Sequence, residues 1–144
     1  MNTRLLPLLI TSVFLSSTAY AESVTKQIAL NASTIIYGTI NTGGMSAAIQ
    51  EIKTCYDGVK TRDHFIYCLS MDIQAKRFDS AVAKRLQTTE QAYFSDAEMD
   101  ERVLGMQRWY PSTSQLNYEM NQLMDGLEQG TKAELARAGS VQKK

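Results

Sequence analysis

Cys55 and Cys68 enclose the chain's single histidine, His64, in the stretch CYDGVKTRDHFIYC. Two thiols and an imidazole are the residue types of a zinc site, of a redox pair, or of a thiolate nucleophile with its base. Each chemistry sets a requirement. A zinc site takes three or four converging ligands, and His64 is the only histidine that could join the thiols. A thioredoxin-type pair needs C-x-x-C, whereas twelve residues intervene here. A thiolate nucleophile needs a thiol that stays free, which depends on the compartment.

The chain opens MNTRLLPLLITSVFLSSTAYAES, with Arg4 as a short positive region, an apolar run from Leu5 to Leu15, and Ala19-Tyr20-Ala21 as a small-residue cleavage pattern. That is the pattern of a secretory signal peptide over residues 1–21. The apolar run is well short of the roughly 20 residues that span a bilayer core. The mature chain is therefore expected to be a soluble protein of the periplasm, with no membrane insertion after cleavage. Disulfides persist there, and two cysteines are the smallest set that can pair. A structural Cys55–Cys68 bridge is the expectation, with neither metal nor cofactor. In the mature chain 14 basic residues face 15 acidic ones, because Arg4 leaves with the leader. Such a balance creates no field that would gather nucleic acid or a membrane surface.

The elements that position the cysteines read as helices. Upstream, Ala48, Ile49, Ile52, Cys55, Tyr56 and Val59 recur at three- and four-residue steps, the period of one helix face, from about Ser46. Downstream, the stripe runs through Phe65, Cys68, Met71, Ala75, Phe78, Val82 and Leu86. Asp57-Gly58 marks a turn between them, with Thr61 or Asp63 to cap the second helix. An antiparallel helical hairpin brings the two cysteines together.

Further along, YFSDAEMDERV carries a capping box, Ser95 with Glu98, flanked by Phe94 and Met99 as a hydrophobic staple. It predicts a helix from Ser95 to about Trp109. Ser112 and Gln115 repeat the device after Pro111, ahead of a stripe of Leu116, Met120, Leu123, Met124 and Leu127 that ends near Gly130. The sequence from residue 22 to 44 predicts a helix that breaks at Gly38 and a loop over Asn41 to Gly44. The last residues, KAELARAGSVQKK, predict a frayed basic tail. Residues 22–144 thus form a single domain, an all-α small helical bundle of four to five helices with one disulfide-stapled helical hairpin.

Catalytic patterns are missing from the sequence: there is no G-x-S-x-G elbow, no phosphate-binding Gly-rich loop and no H-E-x-x-H. An enzyme is not expected. Asp72, in the apolar run CLSMDIQA, is the one acid whose burial would be informative. Surface recognition is the remaining class. Arg108-Trp109-Tyr110-Pro111 puts residue types favoured at binding hot spots at the joint of two helices, with Asp63 and His64 at the hairpin turn as further contact candidates.

A small exported chain with an A-Y-A cleavage site, a C-x12-C staple and an all-helical body resembles, in length, export and helical content, the periplasmic immunity proteins that accompany type VI secretion effectors. The resemblance implies a toxin inhibitor. Such a protein binds a sibling's cell-wall- or membrane-targeting effector by protein contact and blocks it, often as a homodimer. An assembly subunit of an envelope secretion or pilus apparatus is the alternative of a different class.

Overall fold

The computed structural model describes residues 23–141. These form α1 (Val24–Asp57), α2 (Arg62–Leu86), α3 (Asp96–Leu104) and α4 (Thr113–Val141), with short 3-10 segments at Ala92–Phe94 and Gly105–Trp109. The expected leader and its cleavage point lie outside the described residues. Among the described residues, no helix is long and apolar enough to cross a membrane.

The first helix departs from expectation. It does not break at Gly38 but runs on through the expected loop, and its one non-helical residue is Gly44, at φ 74° and ψ −175°. Only glycine tolerates that conformation, because any Cβ would clash with the backbone. The bend is sharp. Thr39 donates a hydrogen bond to the Glu51 carboxylate, although twelve residues of unbroken helix would separate them by about 18 Å. α1 is therefore two arms folded at Gly44. Threonine side chains inside the first arm return their hydroxyls to carbonyls four residues back, as Thr34 does to Leu30 and Thr42 to Gly38, which satisfies the hydroxyls within the helix.

Contacts between the helices give their directions. Thr25 bonds Glu119, Tyr37 meets Thr131, and Asn41 donates to Glu134, so α4 advances alongside the first arm in the same direction. α4 can come that close because Gly126 lies against the Lys26 carbonyl and Ala29, and Gly130 against Ser33. The second arm turns back through Gly58, and Thr61 caps α2 by accepting from the His64 amide at 3.2 Å. The predicted hairpin results, with Cys55 bonded to Cys68 across a 5.6 Å Cα separation.

Two apolar clusters fill the bundle. One, nearer Gly44, joins Ile36, Ile40, Ala48, Ile52 and Met71 to Phe94 and Met99, which places both staple residues together. The other joins Ala29, Phe65, Ile66 and Leu69 to Met106, Leu123 and Leu127. Each large side chain sealed in this way contributes about 1.5–3 kcal/mol.

Further expectations differ from the structure. Leu86 is 67% exposed, since the last turn of α2 projects past the elements that cover the rest of its stripe. Ser95 stands at the N-cap of α3 without a side-chain cap bond, and the reciprocal half of the box is also unmade: the Ser95 amide donates to the Ala92 carbonyl at 3.1 Å, while Glu98 pairs with Arg102 at 3.3 Å. That helix also stops at Leu104: the chain tightens into a 3-10 segment at Gly105, whose missing side chain leaves room for the Phe65 ring. At the other end, the tail is helical as far as Val141, supported by a Glu128–Lys132 pair at 2.7 Å and a Glu134–Arg137 pair on successive turns.

Candidate functional site

The residues singled out from the sequence gather at one end of the bundle. Capping by Thr61 sets the start of α2, which fixes the direction in which Asp63, His64 and Phe65 leave the helix. The 3-10 segment after α3 then folds down onto them. Phe65 and Trp109 place their ring centres 6.2 Å apart, and Tyr56 packs 6.0 Å from Phe65 on the other side. The exposed Arg108 spreads its guanidinium over both rings, 5.0 Å from Phe65 and 5.3 Å from Trp109. Beside it, Arg62 donates to Asp63 at 2.9 Å and lies 6.0 Å over the Tyr110 ring.

Within this group the roles differ. Arg108, Arg62 and Asp63 face solvent, and Trp109 and His64 are half-buried. Tyr110 is only 7% exposed and belongs to the core, where it offers a partner little surface. Among the described residues, the Trp109 indole N–H and the Tyr110 hydroxyl are enclosed without a hydrogen-bond partner of good geometry. Burial, and then the nearby Glu119 charge, push the Tyr110 phenol above its ordinary range.

His64 directs Nε2 toward Cys55 Sγ at 3.7 Å, and ligand atoms of Cys55, His64 and Cys68 all lie within 4.8 Å of one another. With the sulfurs joined to each other they carry no thiolate, which both a metal and a nucleophilic mechanism require. In this state the cluster is a staple beside an imidazole. It holds the second arm of α1 against α2 directly beneath the aromatic group.

Asp72 is the informative acid. It is fully buried, and its carboxylate is gripped by Arg102 from α3, with Nε at 2.5 Å and Nη2 at 3.4 Å. Tyr56 donates its hydroxyl at 3.1 Å. Arg102 also donates to the Tyr93 carbonyl at 2.7 Å and stacks 4.1 Å from the Tyr93 ring. Burial pushes the Asp72 carboxyl above the usual range, and the Arg102 and Tyr56 bonds pull it only part of the way back. The same burial, with the Asp72 charge, raises the Tyr93 phenol to about 12. This cluster ties α3 to the hairpin and so fixes where Arg108 and Trp109 fall.

Sequence reasoning missed Arg102, whose signal was the Glu98-x-x-x-Arg102 spacing of a helical ion pair. It also missed Gln74, a polar residue two positions beyond Asp72 in the same apolar run and fully buried. No protein-family model matches the chain, and no curated protein or solved structure matches it.

Proposed function

We propose that the chain is a periplasmic immunity protein, which binds a secreted antibacterial effector and neutralises it by protein contact. The proposed contact surface is the end of the bundle where Arg62, Asp63, Arg108 and Trp109 gather around Phe65. What supports it most is the arrangement of Arg108. Its guanidinium carbon lies 5.0 Å from the Phe65 ring centre and 5.3 Å from that of Trp109 while the side chain remains exposed, beside a disulfide-stapled hairpin. An arginine and a tryptophan held in place before binding lose little conformational freedom when a partner arrives, which is what lets such residues dominate an interface. The Arg62–Asp63 pair at the rim adds charges of both signs, which suit selection among related partners more than raw affinity.

The test is growth of a strain lacking this gene in dense contact with its wild-type siblings. Killing that the restored wild-type protein reverses, and that an Arg108→Ala, Trp109→Ala double variant of retained fold does not, is the expected result. Survival equal to wild type, while the siblings' secretion system is shown to fire, would refute the reading. Sedimentation of the purified protein, alone and with the co-purified effector, measures whether it acts as a monomer or a homodimer.

A further inference from the structure

Away from that end, the first arm of α1, α2 and α4 enclose a cleft of about 630 Å³, within the size range of small-molecule sites. Its walls are apolar, formed by Phe78, Ala81, Leu135 and Ala138, and Leu135 is 67% exposed. Three polar side chains, Tyr37, Gln74 and Thr131, meet in its lining. Their protons can be followed one by one. Thr131 donates its hydroxyl to the Leu127 carbonyl at 3.1 Å, which leaves its oxygen as an acceptor for Tyr37 at 3.3 Å. Gln74 Nε2 donates to Thr131 at 2.8 Å and to the Tyr37 hydroxyl. Every donor in the group is then committed, and Gln74 Oε1, on a fully buried side chain, has no partner among the described residues. Turning the amide over lets Tyr37 donate to the oxygen but strands the NH2 group instead. Unmet polar groups of this kind are rare inside proteins because nothing repays their desolvation.

Of the charges in the lining, Arg77 reaches Met124 Sδ at 3.7 Å and lies near the Glu128 carboxylate, and the others are held in pairs. Lys132 bonds Glu128 at 2.7 Å, and Glu134 holds Arg137 and accepts from Asn41 at 3.1 Å. An ionised ligand would have to compete with those pairs. We propose that the cleft binds a neutral small molecule with an apolar body and one hydroxyl group, an alcohol or phenol, whose hydroxyl completes the Tyr37–Gln74–Thr131 network while its body covers Phe78 and Leu135.

The probe is 2-naphthol, titrated into the purified protein at neutral pH and followed by its own fluorescence. Two comparators share its body: 2-methoxynaphthalene, which has no proton to donate, and 2-naphthoate, which is charged. Saturable binding of 2-naphthol, tighter than that of the ether by about tenfold or more, is expected. Ala138→Trp fills the cleft from an exposed helix position and should abolish binding with helical circular dichroism unchanged. Gln74→Leu should bring the naphthol and ether affinities together. If that variant fails to fold, the comparators and Ala138→Trp still decide. The proposal is overturned by absence of saturation, by an ether that binds as well as the naphthol, by tighter binding of the naphthoate, or by binding that survives Ala138→Trp.

Discussion

Replacing Arg102 with methionine is the most searching test of how the two halves of the molecule are joined. Asp72 has no exposure to water, and the substitution removes both guanidinium contacts, at 2.5 Å and 3.4 Å, leaving the Tyr56 hydroxyl at 3.1 Å as its hydrogen-bond donor. Stripping one partner from a buried ion pair costs about 3–5 kcal/mol, because the charge left behind has lost both water and counter-ion. A small domain has only about 5–15 kcal/mol in total, so the variant should sit close to its unfolding threshold at neutral pH.

The loss should depend on pH with a definite sign. Burial already raises the folded Asp72 above its ordinary carboxyl range, and losing Arg102 raises it further. An acid with a raised folded pKa holds more protons folded than unfolded, so stability falls as pH rises from the unfolded value, about 3.9, through the folded one. Urea midpoints between about pH 4 and 7 should therefore fall with rising pH, more steeply for Arg102→Met than for wild type. The double variant Asp72→Leu with Arg102→Met should recover most of the lost stability at neutral pH, since it removes the stranded charge. A single variant that loses less than about 1 kcal/mol with a pH profile like the wild type's would refute the argument, because that is the behaviour of an exposed pair.

Three other outcomes are expected. Cys55→Ser with Cys68→Ser, which opens a loop spanning a sequence separation of 13, should lower stability by about 3 kcal/mol in chemical denaturation while the helical signal persists below the new midpoint. Gly38→Ala should stabilise by about 0.5–1 kcal/mol in the same assay, because a Cβ there meets nothing within 4 Å and glycine is a poor helix former. Gly126→Ala, the same chemical change, should lower the thermal midpoint instead, since its Cβ would press on the Lys26 carbonyl and on Ala29. An equal response at the two glycines would show that the close α1–α4 approach is wrong.

The all-helical class, the hairpin and its staple were legible in the sequence, although the bend of α1 at Gly44 and the ends of α3 and α4 were not. Apolar residues at helical spacing, the Thr61 and Ser112 caps, and two cysteines placed about a short turn all act within a few residues of themselves, so local chemistry is enough to read them. Tertiary structure decided what those elements face. Gly38 and Gly44 look alike as letters, yet only Gly44 takes the positive φ, because the arms must fold there for Ile36 and Ile52 to share one core. Asp72 and Gln74 look like ordinary polar breaks in an apolar run. One became the buried partner of Arg102, thirty residues away, and the other the unmet amide of a cleft built from three helices. The gathering of Arg62, Asp63, Arg108 and Trp109 around Phe65 is of the same kind. Their sequence separation is closed only by packing α3 and its 3-10 extension onto the hairpin, and no local propensity encodes where a distant helix will land.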